Sequence, residues 1–178
     1  MIASELSTPI RLNLMIMGEK RHGKDTLCEY LRDTYGVTFG SSSKTACDLF
    51  LFDKIKKIFG YQTPEEAFND RDNHRQLWYE EIKAYNEANG LDALGKVIYS
   101  NHQIYCGIRD KDEFLALKNG GLIDLTIWVD ASERLPSESS KSMKLSKEDA
   151  DIIISNNGNK AEFLKKIDKF YHAVLAKN

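Results

Sequence analysis

The apolar stretch Leu12–Met17 (LNLMIM) runs directly into Gly18-Glu19-Lys20-Arg21-His22-Gly23-Lys24-Asp25-Thr26, after which Leu27, Tyr30 and Leu31 recur at helical spacing. A buried strand, a glycine loop and an amphipathic helix in that order leave few architectures open. Consecutive main-chain N–H groups in such a loop form a concave anion site. The following helix adds its unpaired first-turn N–H groups, and the lysine supplies a mobile positive charge. Gly18 and Gly23 allow backbone conformations that a side chain disfavours. By chance a G-x-x-x-x-G-K pattern arises roughly 0.07 times in a chain of this composition, before its context is considered. The loop residues Gly18, Lys20, Arg21, His22, Gly23, Lys24, Asp25 and Thr26 are therefore read as a grip for the phosphates of a nucleotide. The usual pattern places Ser or Thr after the lysine to hold magnesium, whereas here Asp25 stands there and the hydroxyl follows at Thr26. Asp25 either holds the metal through water or simply suits the positive end of the helix dipole. His22 either meets phosphate when protonated or faces solvent.

Further apolar runs follow at Gln103–Ile108 (QIYCGI), Leu125–Val129 (LTIWV) and Ile152–Ile154, with Val37–Phe39 as a fifth. They are nearly continuous rather than alternating, as in strands buried on both faces, and amphipathic stretches separate them. The expected fold class is α/β: a mostly parallel five-stranded sheet flanked by helices. Residues 18–102 hold far more helical pattern than one crossover needs, so a helical insertion is expected at about 45–95. Within it, Thr45–Phe59 sets Leu49, Phe52, Ile55, Ile58 and Phe59 on one side; Asn73–Asn86 and Leu91–Tyr99 are further helices. Thr63-Pro64-Glu65-Glu66 is a helix start with Thr63 as cap and Glu66 closing a capping box. Lys160–Lys177 is a closing amphipathic helix. Ser132–Lys147, polar and Ser-rich, is expected to be an exposed, mobile loop. The organisation is one domain over 1–178, with core segments 10–44 and 96–178.

Charge and cysteine content exclude several classes. Lys plus Arg is 25 against 27 for Asp plus Glu, a net charge of −2. No overall basic field exists to grip a nucleic-acid polymer or an anionic membrane. Three cysteines, with no C-x-x-C spacing, argue against a disulfide framework or a structural zinc site and fit a reducing cytoplasm. Met1–Ile10 lacks the pattern of an export signal, and no run of 18 apolar residues occurs.

Four segments carry a resemblance: the GEKRHGKDT loop, DNHRQLWYEEIKAYN, YCGIRDKDEF, and LIDLTIWVDASERLPSE followed by ADIIISNNGN. Together they resemble deoxynucleoside monophosphate kinases of the phage type, within the adenylate-kinase-like group of P-loop phosphotransferases. ADIIISNNG is also similar to dephospho-coenzyme A kinase. The resemblance implies a three-layer P-loop NTPase fold, ATP as donor, Mg²⁺, and a nucleoside monophosphate as acceptor. It also implies that the insertion binds the acceptor, that 132–147 is a lid, and that a phage-encoded chain works in its host's cytoplasm. Thr26 would touch a donor phosphate. Lys24, Arg109 and Arg134 would serve the transferring phosphoryl group, Lys44, Arg75 and Arg109 the acceptor, and the turn at Asn157 and Gly158 the adenine. Arg71 is read as a solvated partner of Asp70 and Asp72, and Trp78 and Tyr79 as core. YCGIRD departs from many P-loop enzymes, with Gly107 where a metal-organising aspartate would end the strand and an acid only at Asp110. The expected partners are small-molecule nucleotides, with a homodimer through insertion residues such as Phe50 and Phe59 left open. Other readings are a kinase for another small phosphate-bearing acceptor, such as dephospho-coenzyme A, or a non-catalytic nucleotide-binding switch.

Overall fold

The computed structural model describes residues 11–139 and 141–177. The reading of residues 1–10 as free of an export signal lies outside them. In chain order the elements are β1 Leu14–Met17, α1 Lys24–Tyr35, β2 Phe39–Ser41, α2 Ser42–Ala46, α3 Phe52–Phe59, α4 Pro64–Asp70, α5 Arg75–Asn89 and α6 Ala93–Asn101. Then come β3 Ile104–Cys106, α7 Lys111–Asn119, β4 Leu125–Asp130, β5 Ile152–Ser155 and α8 Lys160–Phe170. None of the described helices is long and apolar enough to cross a membrane.

The strands form one parallel sheet in the order β2-β3-β1-β4-β5. All four residues of the central β1 are buried, and their side chains alternate between faces, as the two-residue period of a strand requires. Leu14 and Ile16 join Ile104, Cys106, Ile127 and Val129 under Leu27 and Leu31 of α1 and Phe163 and Ile167 of α8. Met15 and Met17 join Tyr105 and Trp128 under Leu94 and Ile98 of α6 and Phe114 and Leu117 of α7. Each such side chain contributes about 1.5–3 kcal/mol by leaving water. The result is the expected three-layer α/β sandwich.

Several sequence expectations shift in the structure. The fifth strand is Phe39–Ser41 rather than Val37–Phe39, because Val37 belongs to the end of α1. Its N–H donates to Leu31 O after Gly36 has turned left-handed. β5 is not buried on both faces: it pairs only with β4, and Ile153 is 51% exposed at that edge. Thr45–Phe59 is not one regular helix. A wide, π-type turn at Cys47–Leu51 joins α2 to α3 and rotates the apolar face. Cys47, Leu51 and Ile55 are consequently buried against Ala67 and Trp78 in a small core of their own, while Leu49 and Ile58 are exposed. Thr63 does cap α4, its Oγ1 accepting from Glu66 N at 3.2 Å, but the Glu66 carboxylate takes the N–H of Gln62, one residue before the cap. The 132–147 segment is less exposed than its composition suggests. Leu145 and Met143 pack onto the Met17–Trp128 side of the core, and Ser142 is fully buried.

Candidate active site

The glycine loop leaves the centre of the sheet and is hemmed in by the ends of β4 and β5. Gly18 sits at φ +149°, and a Cβ there would stand 2.6 Å from Val129 O. Gly23, at φ +106°, would place a Cβ 2.5 Å from Asn156 Nδ2. Both glycines are demanded twice, by conformation and by space. Gly23 also heads α1 without a side-chain cap, so the first-turn N–H groups of Lys24, Asp25 and Thr26 remain open to an outside acceptor. The Lys24 ammonium folds back onto Glu19 O at 2.7 Å, and burial pulls its pKa down. Arg21 is left-handed at φ 65° without being glycine, a local strain of about 1 kcal/mol held at the mouth of the loop.

His22 corrects the sequence reading. It is neither solvent-facing nor turned to the cleft, being 2% exposed. Its Nδ1 accepts the N–H of Ala131 at 3.1 Å, and its carbonyl accepts Asn156 Nδ2 at 2.9 Å. An accepting Nδ1 makes the ring neutral with its proton on Nε2, so His22 fixes the loop to β4 and β5 rather than supplying charge.

Across the cleft from the loop stand the arginines. Arg109 lies just beyond β3, at the carboxyl end of a parallel strand, where open α/β sheets collect ligands. It grips both carboxylate oxygens of Glu138, with Nη2 at 3.3 Å from Oε2, and its Nη1 also reaches Ser142 Oγ at 3.0 Å. Arg75 opens α5. Its Nη2 donates to Asp72 Oδ1 at 2.5 Å, while its Nε is buried without a partner. Burial lowers the Arg75 pKa, and the nearby charge of Arg109 lowers it further, so the two guanidiniums repel one another across a shared space. Lys20 ties the loop to the same group, its ammonium 3.1 Å from Asp72. Lys44 lies on the cleft wall but is already paired, 2.7 Å from Asp48 and 3.8 Å from Glu65.

Arg71 is the cleft residue that the sequence reading missed. Neither Asp70 nor Asp72 engages it. Asp70 takes Tyr61, Asn73 and His74, whereas Arg71 lays its guanidinium 3.8 Å from the Phe68 ring centre and lines the cleft beside Arg75. The available signal was its spacing of four from Arg75, one helical turn.

A cleft of about 830 Å³ runs from Gly18, Lys24 and Asp25 to Arg71, Arg75 and Arg109. Beyond the arginines it continues into a narrower pocket lined by Trp78, Tyr79, Ile82, Tyr105 and Glu113. Trp78 and Tyr79 thus serve both the core and this pocket. Glu113 lies buried there, its Oε1 accepting from Tyr105 OH at 2.7 Å, and burial pushes its carboxyl pKa up to about 8. Asp110 is not available to a metal: it caps α7 through the N–H of Glu113 and accepts Tyr79 OH at 2.8 Å. Among the described residues no cluster of three or more His, Cys, Asp or Glu side chains is placed to hold a metal. Asp25, exposed and near Cys106 and Lys24, fits a magnesium ion that keeps phosphate oxygens and waters as its main ligands.

Arg134, which the resemblance assigns to a lid over the transferring phosphoryl group, is here tied to the turn after β5. Its Nε donates to Asn156 O at 2.6 Å, and the neighbouring Glu133 N–H donates to Asn157 Oδ1 at 3.0 Å. Arg134, Asn157 and Gly158 therefore stand together, at the end of the sheet formed by β4 and β5. The strand after β1 in the sheet, β4, ends in an acid, Asp130, but Ser132 N–H and Asn157 Nδ2 engage it.

No protein-family model matches this chain, and no curated protein matches its sequence. Among solved structures it is similar to a dephospho-CoA kinase from Campylobacter jejuni, with 19% identity over 93% of this chain and 98% of that one and a TM-score of 0.50. A gluconokinase from Sinorhizobium meliloti, at 13% identity, covers 94% of this chain and 99% of its own with a TM-score of 0.45. An all-parallel five-stranded sheet between helices, with the glycine loop leaving its central strand, defines the class. This is an α/β fold of the P-loop kinase type.

Proposed function

We propose that the protein transfers the terminal phosphoryl group of ATP to a nucleoside monophosphate, a deoxynucleotide by the resemblance of its motifs, giving the diphosphate. One observation carries this reading: a loop of open N–H groups with a half-buried lysine faces two arginines that repel one another across a single cleft. Phosphoryl transfer asks a protein for alignment and charge rather than covalent chemistry. The main-chain amides of residues 18–26 and the Lys24 ammonium hold the donor's phosphates. Arg75 and Arg109, with Arg71 and Lys44 at the wall, hold the acceptor's phosphate in forked hydrogen bonds. The pocket beyond them, walled by Trp78, Ile82 and Tyr105, suits the acceptor's base. Arg134 and the Asn157–Gly158 turn suit the donor's adenine. Magnesium, when bound to the donor phosphates near Asp25, would supply neutralising charge.

The dephospho-CoA kinase likeness, together with the ADIIISNNG segment, supports a second acceptor, dephospho-coenzyme A, a phosphate-bearing adenine nucleotide that would take the phosphoryl group on a hydroxyl. An ADP-release assay across common deoxy- and ribonucleoside monophosphates and dephospho-coenzyme A decides between them. Turnover with at least one monophosphate is expected; turnover with dephospho-coenzyme A alone replaces the leading reading, and none with any acceptor removes both.

A further inference from the structure

Glu138 has no role in the chemistry just described, yet its carboxylate lies at the centre of the cations. The side chain is only 8% exposed. Oε2 accepts the loop N–H of Lys20 at 2.8 Å and Arg109 Nη2 at 3.3 Å, while Oε1 accepts Arg109 Nη1. The residue's own N–H donates to Glu19 Oε2 at 2.8 Å, so the glycine loop and the 132–147 segment clasp each other through two reciprocal carboxylate contacts. Burial opposes ionisation of Glu138, but the hydrogen bond and charge of Arg109, with help from Arg75, prevail and hold its carboxyl below the usual range.

A loop amide on one side and a forked guanidinium on the other are what two oxygens of a phosphoryl group require. We propose that Glu138 is a built-in phosphate surrogate: in the nucleotide-free protein its carboxylate occupies the place between the glycine loop and Arg109 that phosphoryl oxygens take, and the nucleotide must evict it. The proposal rests on the reading of the loop as a phosphate grip, though not on the identity of the acceptor. Without an occupant, Arg109 would lose its carboxylate partner in a half-buried cleft shared with Lys24 and with Arg75, whose own partner is Asp72, an unfavourable arrangement. A single carboxylate relieves it. A polyphosphate, with more charge and more acceptor oxygens, relieves it better and wins the exchange. The cost of eviction lowers apparent affinity by the fraction of molecules in which Glu138 is in place. Eviction also undoes the Lys20 and Arg109 contacts of the Glu138 carboxylate, so the stretch around 137–139 loosens only when phosphate arrives, while Leu145 and Met143 keep the rest of 132–147 on the core.

Tripolyphosphate, which has no base and cannot be turned over, is the probe, with binding measured by calorimetry at fixed ionic strength. Glu138→Gln keeps the shape and removes the charge that Arg109 and Lys20 compete for. Its Kd for tripolyphosphate is expected to be at least about tenfold lower than that of the wild type. An unchanged or raised Kd overturns the proposal. Hydrogen exchange in the unaltered protein gives a second reading that needs no variant. Amides around 137–139 are expected to exchange faster once tripolyphosphate is bound, and unchanged or slower exchange there also overturns it. If the wild type binds tripolyphosphate and shows both effects yet phosphorylates no acceptor, the surrogate stands and the proposed function falls.

Discussion

Glu113 makes the stability of this chain depend on pH. Its carboxyl is buried beside Tyr105 with a pKa raised to about 8, against about 4.3 in an unfolded chain. Below the lower value both states are protonated and the residue has no effect on the balance. Between the two the unfolded chain sheds a proton that the folded one keeps, so stability falls as pH rises towards 8 and levels off above it. Urea melts at pH 5.5 and pH 8 should show this decline in the wild type, and Glu113→Gln should flatten it. Lys24 behaves oppositely under mutation. Lys24→Ala removes a half-buried charge whose hydrogen-bond partner is a carbonyl, so the melting temperature should hold or rise while turnover drops by about a thousandfold. A melting temperature that fell with the activity would make Lys24 a structural residue. At this scale the sequence showed Gly18, Gly23 and Lys24 plainly, because their spacing is itself the requirement. It hid His22 and Arg71, whose surroundings are fixed by β4, β5 and Phe68, segments distant or offset in the chain.

At the scale of elements, the roles divide by which piece of the fold carries each arginine. Arg75 on α5 and Arg109 beyond β3 line the pocket proposed for the acceptor, so replacing either by alanine should raise the acceptor KM roughly ten- to a hundredfold, the worth of a charge-assisted hydrogen bond. Arg134, held against the turn after β5, should chiefly raise the KM for ATP. Initial-rate kinetics with each substrate varied separately tests this, and equal effects on both substrates for all three variants would refute the division. The helix start at Thr63 was legible because capping is local: Thr63 stands before Pro64 and accepts from Glu66 N. The wide turn at Cys47–Leu51 was not legible. A window assuming 3.6 residues per turn assigned Leu49 and Ile58 to the buried face, and one slower turn moved Leu51 there instead. Composition failed for 132–147 for another reason. Beside Leu145 and Met143, its anchors are Glu138 and Ser142, which hydrogen-bond to Arg109 and carry no apolar signature.

For the whole molecule, fold class followed from apolar runs and their helical spacers, but strand order did not, since nothing in a buried strand names its neighbour. The cleft joins loop, insertion and the 132–147 segment, so a ligand that bridges them should stabilise the entire fold. At a hundred times its Kd, ATP with magnesium should add about 2.7 kcal/mol, raising the melting temperature by roughly 5–10 °C. Scanning calorimetry checks this, and the increment should vanish in Lys24→Ala.

The register of the central strand has a consequence for how the chain is made. Leu14 lies opposite Ile104 on one side and Leu125 on the other, so β1 waits for both of its partners while most of the polypeptide is synthesised. Its bonds join distant parts of the sequence, which places this topology among slower folders. A ribosome-bound chain that has not yet delivered β4 lacks the wall behind Gly18, and capture of nucleotide should therefore begin only late in translation.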